Sequence, residues 1–280
     1  MSHLTWHDHP TARRPVLVAA FEGWNDAGEA ATTAVEHLIE HWGARRIATI
    51  DPEEFYDFTV SRPTLRIDGD GAARHIDWPA NEFWWAEPEG SEGVVLLRGV
   101  EPQLKWRSFV AQVHEAATEL GCSTVLTLGA LLAEVAHTRP TPVFGNADDP
   151  SLIERFGLTP SRYEGPTGIV GVLHAEFAGT AVDSASLWAA VPSYVPAAPS
   201  PKAARALVER ATEVIGVDVP MLELGFAAAA YEHEISQLVA EDDSTADYVH
   251  QLEEQHDRET IAVESADDMV DEVERFLRDQ

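Results

Sequence analysis

Residues 16–28 read VLVAAFEGWNDAG, an unbroken apolar run that ends in a glycine-containing loop and leads straight into a helical pattern over 29–41. A run of that length bounded by turn residues is a strand buried on both faces, and it needs helices above and below it. Asp26 stands at the N-cap position, and Glu29, three residues on, predicts a capping box. The same grammar recurs. Strands are predicted at 15–21, 46–50, 65–67, 93–98, 124–128 and 182–191, and helices at 26–41, 103–120, 168–178 and 202–215. Strand–helix alternation of this kind gives an α/β fold whose largely parallel sheet is covered by helices on both faces.

A DGDG turn at 68–71 predicts a hairpin arm near 63–85 that makes the sheet mixed and continues into WPANEFWW. Adjacent Trp84 and Trp85 must point to opposite sides of a strand, so one of them is expected to leave the core. With Trp78 they are candidate anchors of an oligomer interface. After Pro220 the pattern turns wholly helical. Met221, Leu224, Ala228, Tyr231, Ile235 and Leu238 make one apolar stripe, Val249 and Leu252 begin a second helix, and Ser265 is expected to cap a third. Residues 216–280 hold 19 acidic and 3 basic side chains. That shift divides the chain into an α/β domain over 1–219 and an acidic helical extension over 220–280.

Composition narrows the function. With 48 acidic against 19 basic residues the net charge is −29, which repels phosphate backbones and anionic lipid; it reads first as a solubilising surface and second as attraction to a basic-faced protein partner. The longest apolar runs are too short to span a bilayer, the first residues lack a signal-peptide pattern, and a single cysteine, Cys122, suits a reducing compartment. A cytoplasmic protein is expected.

Motifs for common chemistries are missing. There is no GxxxxGK[ST], GxGxxG, GxSxG or paired CxxC, and the glycines of GPTGIVG (165–171) have the spacing of a tight loop entering a packed helix. His37 and His41 lie four apart but lack the glutamate of a zinc protease motif, and His3, His7 and His9 read as a loose terminal cluster. No metal and no cofactor is expected. Three loops remain, each following an apolar strand: FEGWNDAG with Glu22, Trp24, Asn25 and Asp26; RGVEPQLKW with Glu101 and Lys105; and LGALLAEVAHTRP with His137 and Arg139. Parallel strands would gather all three at one sheet edge. Asp26, Glu101, His137 and Arg139 could then frame a hydrolytic or phosphorolytic pocket. In the competing reading Asp26 caps its helix, Glu101 pairs with Lys105, and Arg139 ties loops together.

FEGWNDAG, the GVEP of 99–102 followed by Trp106 and Phe109, GALLAEVAHTRP, YEGPTGIVGVL (163–173) and SLWAAVPSYV with PSPKA (186–203) together resemble the proteasome assembly chaperone 2 family, in its bacterial, actinobacterial-type branch. The resemblance implies a three-layer α/β/α fold of phosphorylase/hydrolase-like type with a mixed central sheet. It also implies self-association, in a small ring such as a trimer, and an assembly or scaffold role without chemistry, with proteasome subunits as partners.

Overall fold

The computed structural model describes residues 2–11, 13–67, 73–147, 149–160 and 163–278, with backbone alone from 261 onward. Its main sheet has eight strands. From edge to edge they are β1 (Leu4–Trp6), β3 (Arg45–Ile50), β6 (Asn81–Ala86), β7 (Val94–Val100), β2 (Val16–Glu22), β8 (Thr124–Ala133), β10 (Asp183–Pro192) and β9 (Val143–Ala147). β7, β2, β8 and β10 run parallel, and the flanking strands pair antiparallel. A separate ribbon joins β4 (Thr64–Ile67) to β5 (Arg74–Asp77). The predicted DGDG turn between them lies outside the described residues.

Strand β2 alternates between two cores. Leu17, Ala19 and Phe21 face the helices α2 (Trp106–Glu119) and α4 (Ile169–Phe177). Val18 and Ala20 face α1 (Ala30–His41) and α5 (Pro201–Ile215), with α3 (Pro150–Phe156) at the margin. With apolar residues on both sides, such a strand stays buried only inside a three-layer stack. The same reasoning corrects the expectation for the tryptophans. Trp85 is buried in the α2–α4 core and Trp84 packs, partly buried, against the α1–α5 core, so each face of the strand meets a helical layer. Gly93 makes room: a Cβ there would sit 2.0 Å from the Trp85 ring. Only Trp78 is exposed, edge-on to Phe58.

Two strands escaped the sequence pattern. The terminal residues are no loose tail: β1 pairs with β3, and His7 N–H donates to the Ile47 carbonyl at 2.7 Å. β9 contains Gly145 and alternates weakly, as edge strands do.

The parallel strands do not stay together to their ends. The β2 ladder with β8 runs from Val16 to Ala19, after which the following loop takes over, Ala130 N–H donating to the Asn25 carbonyl at 2.8 Å, while β8 stays paired with β10 as far as Pro192 and β2 with β7 as far as Glu22. The chain leaves β2 through α1 on one face and leaves β7 through α2 on the other. The connections of the neighbouring strands β2 and β7 thus leave on opposite faces, a topological switch point at the carboxyl edge where open α/β sheets hold ligands.

Beyond α5 come α6 (Leu222–Val239) and α7 (Asp243–Arg278). α7 runs unbroken through Ser265, where a third helix was expected. Val239 takes the buried place assigned to Leu238, which is exposed. Tyr231, Ile235, Val249 and Leu252 form a small core with Ala136 and Val195 of the body, so the extension packs on its own chain.

Candidate functional site at the carboxyl edge of the sheet

Asp26 is a cap, but of a different kind from the one predicted. A 3-10 turn (Ala27–Glu29) intervenes before α1, with Gly28 and Glu29 both at positive φ. Glu29 gives its backbone N–H to the Asp26 carbonyl, so the capping box is replaced by a wider loop. The Asp26 carboxylate accepts Ala31 N–H at 2.7 Å, Thr32 N–H at 3.3 Å and the Thr32 hydroxyl. Burial pushes its carboxyl above the usual range, against the pull of these donors.

Glu101 is the hub of the edge. Its Oε1 accepts Ile169 N–H at 2.8 Å, placing a negative charge on the N-terminus of α4. The same oxygen accepts Asn25 Nδ2–H at 3.4 Å, and Oε2 accepts Trp24 N–H at 3.4 Å. Three loops are thus pinned by one carboxylate. Gly168 is required here, because a Cβ would lie 2.1 Å from Asn25 Nδ2. Lys105 does not pair with Glu101 as expected; it turns to Glu54, from a backbone at φ 53. Glu22, at the exposed end of β2, contributes its carbonyl to Glu101 N–H at 2.8 Å.

His137 and Arg139 belong elsewhere. His137 is buried between Tyr194 and α6. Its Nδ1 lies 2.7 Å from the Tyr194 hydroxyl and its Nε2 2.9 Å from Ser236 Oγ, while Lys202 Nζ donates to its carbonyl at 2.5 Å. Ser236 spends its own proton on the Glu232 carbonyl, so it accepts from His137 Nε2–H, and Tyr194 donates to Nδ1. The imidazole is therefore neutral, and burial, then the Lys202 charge, hold its pKa below the ordinary value. Arg139 grips Asp257 of α7 through two bonds of 2.7 and 2.8 Å. The four side chains of the hydrolytic reading are thus committed to separate structural bonds: Asp26 and Glu101 to helix starts, His137 and Arg139 to the extension.

His37 and His41 likewise serve the extension. Their rings stack at 3.9 Å, and His37 Nε2 donates to the Pro220 carbonyl at 2.8 Å. Among the described residues no group of three potential metal ligands occurs.

What the edge does offer is a cleft of about 940 Å³ on the α4 side of the sheet. Trp24, Leu131, Leu132, Phe144 and Tyr163 stand at it largely exposed, with Trp188, Ser186, Asn146 and His174 further lining it. His174 Nδ1 sits 2.7 Å from Ser184 Oγ, and its Nε2 3.3 Å from Thr127 Oγ1. Sequence reasoning found Trp24 and Asn25 but missed Phe144, Asn146 and Trp188. A signal was available, since Ser186 and Trp188 alternate with apolar neighbours along one strand.

A family model described as the PAC2 family matches residues 20–239. A PAC2 family protein from Streptomyces avermitilis is 46% identical, with a TM-score of 0.78 over 84% of this chain and 99% of that one. A Mycobacterium tuberculosis proteasome-assembly chaperone homologue is 47% identical, with a TM-score of 0.75 over the same shares. A Mycobacterium tuberculosis protein of unknown function, 27% identical, aligns with a TM-score of 0.83 over 95% of this chain and 92% of its own. No curated protein matches the sequence. No helix among the described residues is long and apolar enough to cross a membrane. The family match over most of the chain, with the three-layer fold it shares with the actinobacterial structures, shows that this chain belongs to the PAC2 family.

Proposed function

We propose that the protein is a non-enzymatic, homo-oligomeric assembly factor of the cytoplasm, which engages proteasome subunits or another basic-faced protein through the rim of the sheet-edge cleft. One observation carries this reading: Asp26, Glu101, His137 and Arg139 are each consumed by internal bonds, while Trp24 stands 64% exposed on a loop pinned by Glu101. A rigidly held, exposed aromatic is a docking anchor. The kinship with a proteasome-assembly chaperone homologue supports the partner class, and the −29 charge supports a basic face on it. Trp78, with Leu65, Ile67 and Ile76 of the ribbon, offers the apolar surface for self-association in a small ring such as a trimer. A hydrolase or phosphorylase at the same loops has no comparable support, because its nominated side chains are engaged separately.

The test is co-elution of the purified protein with proteasome α and β subunits at low and high salt. Wild type is expected to co-elute at low salt and to separate at high salt. Trp24→Ala is expected to weaken capture about tenfold or more while changing stability by less than about 0.5 kcal/mol. Co-elution unaffected by Trp24→Ala removes the rim from the account, and failure of the wild type to retain any subunit removes the function.

A further inference from the structure

Beneath the rim, the structure carries a more specific feature. Trp188 and Gly129 face each other across β10 and β8, and the indole leans over the glycine: a Cβ at Gly129 would lie 2.6 Å from the ring. Side chains of Ser186, Trp188, Phe144 and Asn146 share this face, because Ser186 pairs with Asn146 and Trp188 with Phe144 in the β10–β9 register. Trp188 Nε1–H can only donate, and it donates to Ser186 Oγ at 3.1 Å. Ser186 passes its own proton to Asn146 Oδ1 at 2.8 Å. The chain of donors has one direction, and it ends by fixing the Asn146 amide with its oxygen occupied and its NH2 left to donate.

We propose that this cleft is a small-molecule site for a planar heteroaromatic ligand bearing a ring nitrogen or carbonyl acceptor, which lies against Trp188 and takes a hydrogen bond from Asn146. Three features converge on it. The volume of about 940 Å³ falls within the roughly 300–1,000 Å³ of ligand pockets. The location is the carboxyl edge of the parallel strands, beside the loop that bridges β2 to β8. The lining pairs aromatic walls (Trp188, Phe144, Tyr163) with a pre-oriented amide donor on Asn146, the combination that orients a flat ring. Gly129 keeps the indole in place by having no side chain to displace it. The assignment stands independently of the docking role, which uses Trp24 at the rim.

Saturation-transfer NMR on the full chain tests it, with nicotinamide and adenosine as probes and cyclohexanecarboxamide as the saturated control. Wild type is expected to transfer saturation to the heteroaromatic protons and not to the control. Trp188→Leu is expected to abolish the transfer. Asn146→Asp keeps size and the acceptor for Ser186 but replaces the donor, and should cut the signal about tenfold with an unchanged melting temperature. Absence of transfer to both aromatic probes overturns the proposal, as does equal transfer to the control, or a full signal in Asn146→Asp. Loss of proteasome-subunit capture in Trp188→Leu without any probe binding also overturns it, assigning the cleft to the protein partner and leaving the docking role intact.

Discussion

Asp26→Ala is expected to lower the unfolding free energy by about 3 kcal/mol, combining a lost helix cap with buried donors left unsatisfied. The carboxylate serves Ala31 N–H, Thr32 N–H and the Thr32 hydroxyl at a buried position, and no water can replace it without opening the loop. Asp26→Asn retains an acceptor for the amides and sheds the desolvation that raises the carboxyl pKa, so its cost should stay below about 1.5 kcal/mol. Urea unfolding of the three proteins at neutral pH reads the difference. An alanine variant within about 1 kcal/mol of wild type would mean that the 3-10 turn rearranges to cap α1 unaided. The loop carrying Trp24 ends at this cap, so the variant should also weaken partner capture.

His137→Ala is expected to cost about 3 kcal/mol and to loosen the extension first. Its ring is the polar centre of the small core between Tyr194, Ser236 and α6, and its loss leaves the Tyr194 hydroxyl without its acceptor. Limited proteolysis should then cut the connector between α5 and α6, where His37 and Trp42 each hold one backbone carbonyl. The effect has a pH signature. The folded imidazole's pKa lies below its ordinary 6.5, so as pH falls the unfolded chain takes up the proton first. The advantage of wild type over His137→Ala is full above pH 6.5 and shrinks as pH falls through 6.5 towards the folded pKa. His37, also depressed by burial, acts in the same direction. A difference that stays constant from pH 8 to about pH 5.5 would show that the ring is not held neutral.

Much of the architecture is legible in the sequence because the central strands are apolar on both faces and the helices between them keep a clear period. β2, β7, β8 and β10 with α1, α2, α4 and α5 stand close to their predicted ranges. The edges are less legible: β1 and β9 are short and half exposed, and their pairing is decided by partners far along the chain. The site shows the same division. That the first two loops converge follows from parallel strands, and Glu101 does bring Trp24 and Asn25 together. Which groups stay free does not follow from spacing. Spacing pairs Glu101 with Lys105 four residues away, yet its carboxylate takes the Ile169 amide at the start of α4, reached only through the fold. His137 and Arg139 carry the residue types of a catalytic loop, but the extension lies over that loop and takes both. The tryptophan pair reads as part of a hairpin arm in the sequence, whereas β6 lies inside the sheet between β3 and β7, with a helical layer on each face.

The ribbon of β4 and β5 stands apart from the eight-stranded sheet, and all eight of its strand residues are exposed. Two strands alone are marginal in water, so a protease added in small amounts should nick this ribbon before any other part of the body. The nicked molecule would keep its crevice and lose its apolar fingers. The proposed self-association and the proposed binding at the cleft are then scored separately on one preparation, without a single mutation.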